Sequence, residues 1–148
     1  MKPIETQHIT HLPAEVLTLE KEAIAEGFRF LTRLMSEWHS GKNRFNAPGE
    51  CLMAAYLNQQ LIGIGGLSVD PYNQPNTARL RRVYVVPAAI NQHVGHALVK
   101  ALVAHAALHF QKVHLSTGTS AGDAFYLCCG FMRTEDAHAT HIMELINP

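Results

Sequence analysis

The sequence predicts an α/β protein with a mixed β-sheet and helices on both of its faces. Apolar runs with strand and helix periodicity follow one another in the order β-α-α-β-β-β-α-β-α-β-β. Two strand-like runs, residues 51–57 and 61–69, are separated by only three polar residues, which predicts an antiparallel hairpin. The strand-like run 79–86 is joined to run 112–117 through a long helix, which predicts a right-handed crossover and a parallel strand pair.

The first half of the chain begins with a weak strand signal at residues 3–9. Two helices should follow at 12–28 and 29–41. Pro13 suits the first turn of the earlier helix and Gly27 its end, while Gly41 should stop the second helix. A polar connection containing Pro75 leads from the hairpin to the β-branched strand 79–86, which ends before Pro87.

The helix after Pro87 has the clearest periodicity in the chain. Its predicted buried stripe comprises Val94, Ala97, Leu98, Ala101, Leu102, His105 and Leu108. A short helix over residues 120–129 should follow the strand 112–117, with Ser120 as its N-cap and Gly130 as its stop. Strands at 130–135 and 140–146 complete the prediction.

Composition narrows the function classes. The 148 residues suit one domain spanning 1–148, and 47% hydrophobic with 16% charged residues is typical of a globular protein. A formal net charge of +0 gives no general attraction to nucleic acid or to a membrane surface. Three cysteines form neither a disulfide framework nor a zinc motif, and the N-terminus lacks a signal-peptide pattern, so a cytoplasmic location is expected.

The segment PAAINQHVGHAL, residues 87–98, joins a strand to a helix and carries Gly95 at the helix start. Unpaired N–H groups at a helix start bind anions, and glycine lets an anion approach the backbone, so residues 93–97 are a candidate pyrophosphate site. Plain turn chemistry is the commoner explanation of one glycine at a strand-to-helix junction. Residues 63–66, GIGG, match neither a Walker loop nor a dinucleotide fingerprint, because no Lys-Ser/Thr follows them and Ser68 replaces the third glycine.

Two segments together resemble the signatures of the GNAT superfamily of acyl-CoA-dependent N-acetyltransferases. Residues 83–85, Val-Tyr-Val, with Pro87 are similar to the end of that family's central strand, and Phe125-Tyr126 followed by Gly130-Phe131 is similar to its F-Y-x-x-x-G-F motif. The resemblance spans residues 51–135 and includes the order of elements. It implies a GNAT-like fold, in which the mixed sheet splays apart after the fourth strand.

The resemblance also implies acetyl-CoA as cosubstrate, no metal, and a small-molecule or peptide amine as acceptor. The implied coenzyme-binding residues are Val83, Tyr84, Val85, Asn91, Gln92, His93, Val94, Gly95, His96, Ala97, Thr119 and Tyr126. The pyrophosphate loop departs from the family pattern, since Ile90 replaces its arginine and Asn91 and His93 replace two glycines. Thr119 stands where the family often has asparagine. A protonated His93 would replace part of the missing charge.

The implied reaction is direct attack of a neutral primary amine on the thioester, without a covalent enzyme intermediate. Main-chain groups of Val83 and Val85 would lie beside the pantetheine and the thioester carbonyl. The resemblance assigns Tyr126 as the general acid that protonates the departing thiolate, although a core tyrosine is the alternative. Rival functions are a non-catalytic acyl-CoA-binding regulatory domain with a degenerate loop, and a fold-only module. A homodimer accords with family habit.

No general base can be assigned from the sequence. The central strand carries Arg79, Arg81 and Arg82, which are either surface charges or a means of steering an acidic acceptor. Glu26, Glu37 and Glu50 lie in segments that could border the acceptor site, and nothing ranks them.

Other reactive side chains have plainer interpretations. His105 and His109 have metal-ligand spacing but lack further ligands, so a hydrogen-bonded core histidine is expected at position 105. His138 and His141 are predicted to be loop residues. Cys128 and Cys129 are predicted to pack rather than react, because no activating base is evident.

Overall fold

The computed structural model describes residues 4–72, 74–87, 89 and 93–145. Its strands are β1 (Glu5–His8), β2 (Cys51–Leu57), β3 (Gln60–Val69), β4 (Thr77–Val85), β5 (Lys112–Leu115), β6 (Met132–Arg133) and β7 (His141–Glu144). Its helices are α1 (Val16–Ala25), α2 (Phe30–Ser40), α3 (Val94–Ala107) and α4 (Ser120–Cys128). The predicted order of elements is confirmed.

The seven strands form one sheet in the order β1-β2-β3-β4-β5-β7-β6. Within the described residues, β4 and β5 are the parallel pair, and the other neighbouring strands are antiparallel. The parallel pair follows from the crossover through α3, because the helix returns the chain to the end of the sheet at which β4 began. The mixed sheet of the prediction is therefore confirmed.

The hairpin between β2 and β3 turns through Asn58 and Gln59, which have φ angles of 53° and 66°. Two positive φ angles in a two-residue loop define a type I′ turn, whose twist matches that of the strands it joins. The predicted hairpin is confirmed.

Two adjacent glycines of β3 show that the sheet is covered on both faces. A Cβ at Gly65 would lie 3.0 Å from Leu102 of α3, whereas a Cβ at Gly66 would lie 2.5 Å from the ring of Phe45, which follows α2. Successive residues of a strand point to opposite faces. Helix α3 therefore packs on one face, and the segment that contains α1, α2 and Phe45 packs on the other.

Helix α3 buries a stripe that only partly matches the predicted one: the predicted Ala97, Ala101 and His105 are half-buried, and Val99 and Ala106 are buried although they were not predicted. Val94, Leu98, Val99, Leu102 and Ala106 are buried. Leu108 was expected in the stripe, but it is 78% exposed because the helix ends at Ala107 and the chain turns away. No helix among the described residues is long and apolar enough to cross a membrane.

The N-cap of α4 also differs from the prediction. Thr119, not Ser120, has the extended backbone of an N-cap, and its Oγ1 accepts a hydrogen bond of 3.0 Å from the Gly122 N–H. A side-chain oxygen must precede the first helical residue to reach these free N–H groups, so the cap moves back by one position.

Strand β4 loses its partner on one side halfway along its length. Pairing with β5 covers Thr77, Ala78 and Arg79, and it ends where Arg79 lies opposite His114. Beyond Arg79, β4 continues to Val85 and, among the described strands, pairs only with β3. The sheet is therefore splayed along β4, as predicted, and we call the opening between residues 80–85 of β4 and the end of β5 the fork.

Candidate active site

The backbone of β4 offers hydrogen-bonding groups to the fork. The Val86 N–H donates to the Ile62 carbonyl at 2.9 Å, and Tyr84 lies opposite Ile64 in the ladder. Residues of an antiparallel strand alternately direct their peptide groups to one side and to the other. Tyr84 therefore pairs with β3, while the peptide groups of Val83 and Val85 face the fork.

A β-bulge in β4 lies at the fork. Ile64 pairs with Tyr84 but Gly66 pairs with Arg81, so Arg82 and Val83 together oppose Gly65. Arg82 has a φ of 61°, in the left-handed region that few side chains adopt. A bulge bends its strand and increases the local twist, which accounts for the separation of β4 from β5.

The side chain of Tyr84 points away from α3. It is 5% exposed, its ring lies 6.0 Å from that of Phe30, and its hydroxyl donates to Oε2 of Glu26 at 2.5 Å. Burial and the Glu26 carboxylate raise the pKa of this phenol well above its ordinary value. Of the predicted coenzyme residues, Tyr84 thus presents its ring to the helical layer of α1 and α2.

The start of α3 keeps free backbone donors. His93 is the N-cap residue in a left-handed conformation, φ 60°, and its carbonyl accepts from the Ala97 N–H at 3.1 Å. No side chain caps this start within the described residues. The N–H groups of Val94, Gly95 and His96 precede the first intrahelical bond, so they have no helical partner. Ile90 and the predicted coenzyme residues Asn91 and Gln92 lie outside the described residues.

Gly95 has a packing role that the sequence did not indicate. A Cβ at this position would lie 3.0 Å from the ring of Phe125 on α4. That distance is shorter than ordinary van der Waals contact, so glycine lets α3 and α4 approach each other. Of the other predicted loop residues, Val94 is buried, His96 is exposed and Ala97 is half-buried.

Tyr126, the predicted general acid, sits on α4 among aromatic side chains. Its ring centroid lies 4.9 Å from Phe125, 5.7 Å from Phe131 and 6.2 Å from His141. Burial raises the pKa of its phenol, so the hydroxyl carries its proton throughout the neutral range.

A charged cluster that sequence reasoning missed joins α4 to the last two strands. Asp123 accepts two hydrogen bonds from Arg133, of 2.9 and 2.7 Å, and its Oδ1 lies 2.8 Å from Nε2 of His141. These partners lower the pKa of Asp123 to about 2, with Arg133 the larger cause. His141 was expected in a loop, but it belongs to β7 and is 2% exposed. No local pattern marks this pair, because 18 residues separate its members.

Thr119 borders a cavity of about 590 Å³ beside this cluster. The other walls are residues 117–118, 133–135 and 140–141 together with Asp123. Because its Oγ1 already caps α4, Thr119 has its side chain engaged by the backbone of Gly122.

The three arginines of β4 are not ordinary surface charges. The side chains of Arg79 and Arg82 are only 12% and 13% exposed. Arg82 donates to Glu37 of α2 at 3.1 Å, and Arg79 donates to Ser116 at 2.8 Å and lies 3.8 Å from the buried Asp70. Sequence reasoning could not foresee this burial, since a charged strand residue is more often solvated.

The three glutamates considered as a base have distinct surroundings. Glu26 bonds to Tyr84 and is itself exposed, whereas Glu37 is paired with Arg82. Glu50 accepts from the N–H groups of Ala47 and Val69 at 3.2 and 2.8 Å, which fixes it as a structural brace.

The remaining candidates do not form a second catalytic centre. Cys129 has a neighbour that the sequence did not reveal, His96 Nδ1 at 3.7 Å, but burial raises the pKa of its thiol to about 11. The thiol thus stays protonated near neutral pH. His105 lies 5.0 Å from His109 and 5.7 Å from His8, ring to ring, yet no group of three ligating residues in the described chain could hold a metal ion.

Comparison with solved structures shows the same fold elsewhere. A candidate acetyltransferase from Exiguobacterium sp. 255-15 has a TM-score of 0.86 at 24% identity, over 96% of this chain and 93% of that one. PaiA N-acetyltransferase from Thermoplasma acidophilum, in complex with coenzyme A, has a TM-score of 0.64 at 20% identity, over 96% and 98%. The GNAT family N-acetyltransferase YhbS of Escherichia coli, in complex with CoA, has a TM-score of 0.70 at 12% identity, over 99% and 83%.

Sequence comparison identifies the family. No curated protein matches the chain. The family model described as acetyltransferase (GNAT) family matches residues 16–131, which is well over half of the chain. The same span contains the fork, the start of α3 and the Tyr126 motif. This chain is therefore a member of the GNAT family of acetyltransferases.

Proposed function

We propose that this protein transfers an acetyl group from acetyl-CoA to an amine, by direct attack of the amine on the thioester. The fork is the observation that carries the proposal. At the fork, β4 has an edge inside the sheet whose peptide groups are not used by a neighbouring strand in the part of the chain that the structure describes. An extended chain that carries amides of its own can pair with such an edge, and the pantetheine arm of the coenzyme is such a chain. Peptide groups of Val83 and Val85 would pair with it.

The start of α3 would hold the pyrophosphate. The free N–H groups of Val94, Gly95 and His96 and the positive end of the helix dipole suit an anion there. His93 adopts the left-handed conformation that glycine ordinarily serves, so the backbone shape survives although the glycine does not. The bound coenzymes of PaiA and YhbS, which share the fold, agree with this proposal.

The fork also provides the chemistry of the transfer step. A main-chain N–H aimed at the thioester carbonyl would stabilise the oxyanion that forms on attack, and such a donor is worth about 3 kcal/mol. The amine nitrogen bonds to the acetyl carbon and releases one proton to water, the carbon–sulfur bond breaks, and the thiolate takes a proton. Tyr126 is the proposed donor of that proton, because its raised pKa keeps the phenol protonated.

A coupled binding and thiol-release experiment tests the function. Acetyl-CoA should bind with an affinity in the micromolar range, and free thiol should appear with at least one member of a panel of amines. Absence of binding at high micromolar acetyl-CoA would contradict the proposal. Binding without thiol release from any amine, with Tyr126→Phe behaving as wild type, would show a coenzyme-binding protein that is not an enzyme.

A further inference from the structure

We propose that the acceptor amine carries an anionic group, a carboxylate in the simplest case, and that Arg81 binds this group beside the fork. The inference rests on the proposed function, since it takes the thioester to lie along β4 near Val83. It adds the chemical class of the acceptor, an amino acid or a similar zwitterion.

The arginine side chains of β4 outnumber the carboxylates that pair with them. Arg82 is paired with Glu37, and Arg79 is held by Ser116 and neighbours Asp70. Arg81 makes no hydrogen bond or ion pair with any residue that the structure describes. Three guanidinium groups thus share two carboxylates, and the unmatched cation is Arg81.

The position of Arg81 on β4 follows from its strand partners. It lies opposite Gly66, whose Cβ would point at Phe45, so its side chain belongs to the face covered by α1 and α2. It also lies two residues beyond Arg79, where the pairing with β5 ends. The free N–H groups of α3 lie at the start of the helix on the other face. Arg81 is therefore placed for the acceptor rather than for the coenzyme phosphates.

The guanidinium of Arg81 lies in a partly buried environment beside two other arginines. Arg81 is half-buried, and burial together with the charges of Arg82 and Arg79 lowers its pKa from the ordinary arginine value. Nearby, the buried Nε of Arg82 lacks a hydrogen-bond partner among the described residues, whereas Nη1 of Arg79 lies 3.8 Å from Oδ1 of Asp70. An anion with several acceptor oxygens fits a half-buried guanidinium that has no carboxylate partner among the described residues.

A negative charge, opposite in sign to that of Arg81, lies farther along the same face of β4. Glu26 and the Tyr84 hydroxyl lie on the same face, and Tyr84 follows Arg81 by three residues across the bulge. The strand rise puts the two Cα atoms roughly 7–10 Å apart. A carboxylate at one end and a guanidinium at the other complement an amine that also bears a carboxylate, with the nitrogen between them near Val83.

Arg81→Gln is the variant that tests the inference, with Arg33→Gln on the exposed part of α2 as a matched loss of charge. The probes are glycine, β-alanine, 4-aminobutyrate and the L-amino acids, each paired with its carboxamide, together with spermidine and simple alkylamines. Wild type should favour at least one carboxylate over its carboxamide by more than tenfold in kcat/KM. Arg81→Gln should reduce that ratio to about one, mainly through KM, while Arg33→Gln should keep it.

The outcomes separate the two proposals. Arg81→Gln should bind acetyl-CoA as tightly as wild type, which excludes misfolding, and Arg81→Lys should restore part of the preference. Thiol release only with spermidine or alkylamines, equal rates with carboxylate and carboxamide, or acetyl-CoA binding with no acceptor in the panel would overturn the inference. Failure to bind acetyl-CoA at all would instead overturn the proposed function.

Discussion

The Tyr84 hydroxyl donates to the Glu26 carboxylate at 2.5 Å and so ties the central strand to the end of α1. Tyr84 is buried whereas Glu26 is exposed, so the hydrogen bond spans the boundary between the core and solvent. It holds α1 against the strand that forms one wall of the fork.

Tyr84→Phe should lower the free energy of unfolding by about 1 kcal/mol, because it removes one hydrogen bond and keeps the ring. Glu26→Gln should lower the free energy of unfolding by a smaller amount, since the amide oxygen can still accept the hydrogen bond from Tyr84. Urea unfolding of both single variants and the double variant measures the coupling between the residues. Strictly additive losses would show that the two side chains do not interact in solution.

Tyr126→Phe should reduce kcat about 100-fold, the usual worth of a positioned proton donor, with little change in KM for acetyl-CoA. The raised pKa of Tyr126 also predicts that activity persists on the alkaline side beyond pH 10, the ordinary value for the phenol. Steady-state thiol release measures both, with Tyr56→Phe on β2 as the control. A wild-type kcat in Tyr126→Phe would remove the tyrosine from the mechanism.

Gly122→Ala should destabilise the protein by about 1–3 kcal/mol, because the new methyl group would overlap Oγ1 of Thr117 and crowd the cap at Thr119. Gly118→Ala is the matched control, since none of the residues that the structure describes lies within 4 Å of a Cβ there. The two positions lie four residues apart, Gly122 in α4 and Gly118 in the segment before it, so helix propensity alone would favour Gly122→Ala, and a loss of stability there reports the crowding. Urea unfolding that gave equal stabilities would contradict the described packing of the α4 start.

The pH dependence of stability should reveal the Asp123 cluster. The folded pKa of Asp123, about 2, lies below the ordinary value of 3.8, so the native state favours the ionised carboxylate. Its contribution to stability is present above about pH 4 and is lost as the pH falls towards 2. Asp123→Asn should therefore differ most from wild type at pH 6 and least near pH 2.5.

Urea unfolding between pH 6 and 2.5 measures this difference, and Glu15→Gln, an exposed carboxylate on the approach to α1, is the control. A gap between wild type and Asp123→Asn that stays constant with pH would mean that Arg133 and His141 do not favour the charged form.

The element order was predictable because it is encoded locally. Turn residues at Asn58-Gln59 and Gly41 and the apolar stripe of α3 act through near neighbours in sequence. Relationships across long separations left no such signal, since Tyr84 and Glu26 are 58 residues apart. Gly95 shows a subtler limit: its place at a helix start suggested an anion site, while its contact with Phe125 depends on a second helix.

The β-bulge at Arg82 could not be predicted from the sequence either. Left-handed backbone usually calls for glycine or asparagine, yet an arginine adopts it here because its side chain is held by Glu37 and its strand by β3. Tertiary contacts thus fix the feature that opens the fork, and a pattern of single residues could not reveal it.

Amide hydrogen exchange with and without acetyl-CoA tests whether the pantetheine pairs with the peptide groups of β4 that face the fork. Saturating acetyl-CoA should slow exchange at the Val83 and Val85 amides and at Val94, Gly95 and His96, while the Tyr84 amide, already paired with β3, should change little. Binding of acetyl-CoA with unchanged exchange at Val83, Val85 and the start of α3 would show that the coenzyme does not lie in the fork.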